Sequence, residues 1–252
     1  MKMPKKCASC ANHTNNAPYV VKRGARFYES LGSAQPSSTH KSRAERALKI
    51  LGSNLGLVLP ILLLFIAQIL VGGFFALVLL AFGIHLGFHP FTVFPYGFVV
   101  GSTLGIIAAL AMGILTAIFV SILVVEARNA VMGVPYTIGE AWKEVKAKVE
   151  PVFVVVVVGA ILFALWSFVP FIGFLLDLFT MMYLIMVFCV LFSQTGPHYL
   201  STGFNKLIQM ASKDALTFVA LFIASALSLI PIIDLLALPY AVLLCVLFIR
   251  ES

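Results

Sequence analysis

Few side chains in this sequence have the chemistry of a reactive site, and one set of them lies near its start. Cys7, Cys10 and His13 form a Cys-x2-Cys-x2-His pattern. Zinc takes four ligands, or three ligands and a water at a catalytic site, and His40 is the only other candidate nearby. Two interpretations stay open: a metal site, and a reduced, flexible segment rich in polar residues.

Three polar side chains stand inside long apolar stretches. Asp177 and Asp234 are the acids there, and an acid within a membrane span is a candidate functional residue. Each follows a proline-containing break, however, where a carboxylate could cap the free N–H groups of a new helix. We therefore weigh helix capping against contact with an ion or substrate. Gln68 is more typical of a hydrogen bond between helices than of a site.

The remaining inventory argues against catalysis. His85 and His89 are four residues apart, but Gly87 and Pro90 favour a loop over a metal-binding helix. The sequence contains no Ser-His-Asp set, HExxH, Walker A or GxGxxG motif. We therefore expect a protein that is not an enzyme and needs no cofactor.

The elements that carry these residues are membrane spans. The chain is 61% hydrophobic and 11% charged, with a mean hydropathy of +1.06, and so little charge cannot coat a soluble surface. Apolar stretches cover about 55–83, 96–125, 152–192 and 215–249. Pro170 and Pro231 divide the last two, leaving about 17 to 20 residues on each side, which is one span each. We predict an all-α protein with six transmembrane helices.

The basic residues indicate the orientation of these spans. Of the 17 Lys and Arg residues, ten precede the first predicted span, four lie between spans two and three, two lie between spans four and five, and Arg250 ends the sixth. Positive loops favour the cytoplasmic side, so we expect both termini in the cytoplasm and a multi-pass protein of the cell membrane. The expected partners of this charge are anionic lipid headgroups; no motif suggests nucleic acid.

Two of the three predicted hairpins match each other in order. Ser-x-x-Pro, Asp-Leu, Tyr and Cys-Val-Leu-Phe occur at 167–192 and again at 228–248. Such agreement indicates an internal repeat. Each hairpin is preceded by a short amphipathic segment, and two of these segments begin with a predicted capping box, Ser42 with Glu45 and Thr137 with Glu140.

We therefore expect three units, at about 42–127, 136–195 and 201–252, each an interfacial helix followed by a transmembrane hairpin. Residues 1–41 are expected to form a flexible basic cytoplasmic segment. The first hairpin is longer than a bilayer requires, so it must tilt, bend near Gly72 and Gly73, or project outward.

The most specific packing pattern lies in the second span, where a small residue occurs at every fourth position. Such a stripe lets another helix approach closely. It predicts either packing within the chain or a face for a homodimer or larger membrane complex. The stripe consists of Gly97, Gly101, Gly105, Ala109, Gly113, Ala117 and Ser121.

Some of these elements resemble a family of polytopic membrane proteins of archaea and bacteria, related to the membrane domain of glycerophosphoryl diester phosphodiesterase. The resemblance lies in Glu126-Ala127-Arg128 followed by Gly133, in the segment 137–149, and in 229–251 with its terminal Arg-Glu. It implies six membrane helices and no catalytic residues, since the phosphodiesterase chemistry belongs to a separate soluble domain. Our hypothesis is a non-enzymatic scaffold or accessory subunit. The alternative is a transporter or lipid-handling channel.

Overall fold

The computed structural model describes residues 42–85, 94–135, 137–166, 168–169, 172–194 and 196–252. The predicted segment 1–41, with Cys7, Cys10 and His13, lies outside the described residues, as does His89. The helices belong to one compact unit, His40–Ser252. Over the described residues the fold consists of nine α-helices and one 3-10 turn, with no strand: α1 Arg43–Ser53, the 3-10 turn Leu55–Val58, α2 Leu59–His85, α3 Phe94–Met132, α4 Ile138–Ala147, α5 Val149–Trp166, α6 Ile172–Ser193, α7 Tyr199–Lys213, α8 Ala215–Leu227 and α9 Pro231–Glu251.

The prediction of an all-helical, multi-pass membrane protein is confirmed. Among the described residues, five helices are long and apolar enough to cross a bilayer, and a sixth span is counted if α7 and α8, which meet at a 119° bend, are taken together. Helix α8 corrects the expected length of the fifth span: it has 13 residues, or about 20 Å of rise. The reason is that Asp214 starts α8 with a side-chain cap and the chain already turns at Ser228.

Three long helices form the centre of the fold. Helices α3, α6 and α9 each contact the other two, while α2, α5 and α8 lie outside them. Each outer helix contacts its own hairpin partner and one further central helix, which is α9 for α2, α3 for α5 and α6 for α8. Eight consecutive residues near the end of each central helix, at 120–127, 185–192 and 241–248, are buried around the whole circumference of the helix.

A short amphipathic helix precedes each pair of long ones. Helix α4 begins with the predicted capping box, in which the Thr137 hydroxyl accepts from the Glu140 N–H and the Glu140 carboxylate accepts from the Thr137 N–H. The Ser42 hydroxyl caps α1 by accepting from the Glu45 N–H. Helix α7 has no side-chain cap at its first residue.

The first hairpin is the longest, as predicted. Helix α2 is continuous through Gly72 and Gly73, so the helix does not break at the point considered for a bend. A Cβ atom on Gly72 would lie 3.3 Å from the Met112 side chain, which shows that α2 and α3 approach closely there. The 39 residues of α3 rise about 58 Å, against about 30 Å of hydrocarbon.

Candidate functional site

The two acids within the spans are not helix caps. Asp234 is the fourth residue of α9, whose N-cap is Ile230 without a side-chain hydrogen bond. Asp177 is the sixth residue of α6. Each carboxyl group is partly buried and has one enclosed oxygen, Oδ1, without a hydrogen-bond partner. Asp234 is therefore not the N-cap of α9, but it lies in the first turn of that helix, near the positive end of the helix dipole. Asp177 lies beyond the first turn of α6.

Gln68 makes the kind of contact that the sequence suggests. Its side-chain nitrogen donates to the Thr116 hydroxyl at 3.3 Å, joining α2 to α3. Thr116 in turn donates to the Met112 carbonyl. This chain of bonds gives Gln68 a structural role within the first hairpin.

Replacing Gln68 with leucine is expected to have a small effect. Side-chain hydrogen bonds between membrane helices contribute about 0.6 kcal/mol on average, and leucine retains the apolar contact. Unfolding of the purified protein in detergent should show a loss of this order. A loss several times larger would mean that Gln68 has a further partner.

The basic side chains gather at one end of the fold, where α3, α6 and α9 finish; we call this the basic end. Its first cluster joins the start of the described chain to its last residues. Arg43 bonds to Asp214 and donates to Glu251 at 2.8 Å, and Arg46 also reaches Glu251, at 2.6 Å. The Arg43 guanidinium lies 5.3 Å from the centre of the Phe248 ring, a favourable cation–π distance.

Asp214 holds two elements at once. Its carboxylate accepts from the Thr217 N–H and hydroxyl at the start of α8 and also pairs with Arg43. Replacement by alanine is expected to cost about 0.5–2 kcal/mol through the lost cap alone. Asparagine keeps the cap and loses only the partly exposed ion pair, at about 0.2–1 kcal/mol. Denaturant unfolding of both variants checks this order, and the reverse order would contradict it.

A second cluster ties α3 to α4 and α6. Arg128 donates to both carboxylate oxygens of Glu144 at 2.8 Å and to the Phe192 carbonyl at 2.6 Å. Lys148 donates to the Leu191 carbonyl at 2.7 Å. Burial lowers the pKa of Lys148 below its ordinary value; Glu144 acts in the opposite direction, and Arg128 adds to the lowering.

These cations satisfy carbonyl groups that end a helix. The last carbonyls of a helix have no partner within it and carry partial negative charge. Arg128 and Lys148 supply donors for α6, and Arg250 supplies one for α3 by bonding to the Val131 carbonyl. This role could not be recognised from the positions of the cations in the sequence, because each carbonyl belongs to a distant part of the chain.

Two tyrosines make matching contacts next to the basic end. Tyr183 in α6 donates to the Leu200 carbonyl at 3.4 Å, and Tyr240 in α9 donates to the Ala44 carbonyl at 3.3 Å. Leu200 and Ala44 are each the second residue of a short helix. Each tyrosine thus joins a central helix to the start of a short one.

The centre of the basic end contains groups that could react but are enclosed. Cys189 and Cys245 are fully buried free thiols that lie near each other. Glu126 is 1% exposed, and neither of its carboxylate oxygens has a hydrogen-bond partner. Buried structural cysteines are unreactive, and a carboxyl group without a partner is costly to bury in its charged form.

Three residues of the small-residue stripe, Gly113, Ala117 and Ser121, pack within the chain. A Cβ atom on Gly113 would lie 3.8 Å from the Val156 side chain of α5. Ala117 and Ser121 are buried in the core, while Ala109 is exposed. Gly97, Gly101 and Gly105 belong to α3, but their surroundings lie outside the described residues.

No group of three or more His, Cys, Asp or Glu side chains among the described residues could hold a metal. A pocket of about 220 Å³ at the turn between α6 and α7 is lined by Val190, Gln194, Gly196, Pro197, His198, Tyr199 and Thr202, which include a single histidine and no acid. The charged side chains at the basic end can hold the helices together and contact lipid. No protein-family model, curated protein or solved structure matches the chain.

Proposed function

We propose that this chain is a non-enzymatic scaffold or accessory subunit of a membrane assembly. The observation that supports it best is the packing at the basic end. Every residue of α6 from Ile185 to Phe192 is at most 6% exposed, and so is every residue of α9 from Ala241 to Phe248. A centre packed this tightly suits a rigid anchor better than a passage.

We further propose that the chain is built from three parallel units with six spans. Matched contacts support this. Phe192 and Phe248 end the two Cys-Val-Leu-Phe runs, and a cation lies over each ring, Lys148 over the first and Arg43 over the second. The repeated tyrosines each bond to the second residue of a short helix.

The order of contacts around the centre also supports three units. Short helix α1 contacts central helix α9, α4 contacts α3, and α7 contacts α6. Each short helix thus contacts the central helix of a different unit, and the three relations have the same sense. Because the contacts of the three units form a closed ring, the domain is expected to be stable only when all three units are present.

The proposed orientation places the basic end at the cytoplasmic face of the cell membrane, with both termini inside. Basic residues in short loops favour that side. Lys49, Lys143, Lys146 and Lys213 are exposed on or next to the short helices, where anionic headgroups would meet them. Each such charge near the surface contributes about 1 kcal/mol of attraction to an anionic membrane.

Partner helices would meet the chain through its apolar sides and the outer half of the α3 stripe. Ala109 is exposed above the point where Gly113 meets α5. A small residue on an open helix face permits close approach of a second helix, so a homodimer or a larger membrane complex is proposed here. The resemblance to the diester phosphodiesterase membrane domain fits such an accessory role and stays a proposal.

The second candidate is a transporter or lipid-handling channel with a cavity between the hairpins. The observation in its favour is that Asp177 and Asp234 each have an enclosed oxygen without a partner. Polar groups that are costly to bury in a bilayer are often functional.

One experiment separates the two candidates. The protein is purified in a gentle detergent, co-purifying proteins and lipids are identified, and ion and lipid flux is measured in liposomes. Stoichiometric partners without flux are expected for the scaffold. The scaffold proposal would be overturned if the protein purified without partners and showed flux that Asp234→Asn abolishes and the matched control Asp214→Asn retains.

A further inference from the structure

The three short helices share an exposed apolar edge next to their buried one. In each helix a small buried residue, Ala47, Ala141 or Gly203, is followed directly by a large exposed one. The large residues are Leu48, Trp142 and Phe204, with 62%, 41% and 54% of their surface exposed. Successive helix positions differ by about 100°, so each helix has one edge on a central helix and a neighbouring apolar edge that is largely exposed. On α7 this edge also contacts α6, since the Phe204 ring meets the Tyr183 ring edge-on with 6.2 Å between their centres.

The basic residues next to this apolar edge indicate which environment covers it. Lys49 and Lys143 directly follow Leu48 and Trp142, and Lys206 follows Phe204 by two positions. An apolar edge bordered by cations, on a helix that leads into a span, fits the boundary between acyl chains and anionic headgroups. We take the exposed apolar edges to lie at this boundary, in the membrane leaflet at the basic end.

The opposite end of the fold has no matching elements among the described residues. There, α8 and α9 are joined by a three-residue turn, 228–230. The Ser228 hydroxyl contacts the Met181 sulfur at 3.5 Å. Met181 is the tenth residue of α6, so the turn lies level with the middle of that helix. The third hairpin therefore stops short of the second, and less protein enters that leaflet.

From this asymmetry we infer that the chain is a wedge, which occupies more area in the leaflet at the basic end than in the opposite leaflet. Such a shape favours membranes that curve with the basic end on the convex side. The short helices occupy about 500 Å² by their length and diameter, in one leaflet only. Helices placed at that depth expand their own leaflet and respond to curvature. The inference rests on the proposed placement of α1, α4 and α7 in the interface.

The test uses the full chain, labelled at its C terminus and reconstituted in giant vesicles of phosphatidylcholine, from which narrow tubes are drawn. With the basic end outward, the tube-to-vesicle ratio of protein to lipid is expected to exceed one, and with the basic end inward to fall below one. A ratio of one in both orientations, or the opposite signs, would overturn the inference.

Two sets of variants locate the effect. Leu48→Gln, Trp142→Gln and Phe204→Gln together remove the apolar edges from exposed positions while keeping good helix formers, and should bring the ratio to one. The matched control, Lys49→Gln, Lys146→Gln and Lys213→Gln, should keep the ratio and lose only the response to added phosphatidylserine. An unchanged ratio in the first set would contradict the wedge.

A separate measurement tests the placement on which the inference rests. In a Trp166→Phe background, Trp142 is the one tryptophan left in the sequence, and its fluorescence should be quenched by lipids brominated near the headgroup. Absence of quenching would refute the interfacial placement. Quenching with a ratio of one would refute the wedge alone, and neither result bears on the flux and co-purification test.

Discussion

Replacing Gly203 with alanine is expected to lower the free energy of unfolding by about 1–3 kcal/mol, the usual cost of overpacking a core. A Cβ atom at this position would lie 2.6 Å from a methyl carbon of Val187 and 3.1 Å from its Cα. Val187 is fully buried and its branched side chain has little rotamer freedom. Helix α7 would therefore have to move away from α6.

The control for this prediction is Gly52→Ala. Gly52 lies in α1 with open space where its Cβ would be, so alanine should stabilise that helix by about 0.5–1 kcal/mol. Thermal unfolding in detergent compares the two variants directly. Equal stability of Gly203→Ala and the parent protein would show that α7 does not pack against α6 as described.

Replacing Glu126 with methionine is expected to stabilise the protein by about 1–3 kcal/mol, the usual penalty of a buried polar group without a partner. Both carboxylate oxygens lack a hydrogen bond, and the residue is only 1% exposed. Methionine has a similar length and adapts to irregular space. Denaturant unfolding in detergent measures the change.

The matched control is Glu140→Met, because the Glu140 carboxylate is used in the capping box of α4. That change should destabilise the protein through the loss of one partner in the cap. Destabilisation by Glu126→Met as well would mean that the Glu126 carboxyl group binds something in the native protein, which would favour the transporter candidate.

The spans could be predicted from sequence because uncharged length and charge placement are local properties. The length of α8 could not be predicted from them, since Lys213 and Asp214 end the charged segment without showing that the chain bends there. Asp214 and Thr217 do have the spacing of a helix cap, which is a usable signal for the start of α8. The early turn at Ser228 has no comparable signal.

The contacts of the candidate residues at the basic end join positions that are far apart in the sequence. Arg43 and Glu251 are 208 positions apart, and no local pattern joins them. Cys189 and Cys245 could have been paired by a further step. They occupy equal positions in the predicted repeat, and two helices that run in the same direction place equal positions at equal depth. Glu126 could not be recognised as enclosed, because its burial requires several helices at once.

The bonds of Arg43 and Arg46 to Glu251 also have a consequence for biosynthesis. Helix α1 is synthesised well before its main contact, α9. Until the final turn of α9 is made, both arginines lack the carboxylate of Glu251, and α2 lacks one of its two flanking helices. The first hairpin of the nascent protein is therefore loosely held until α9 has been made.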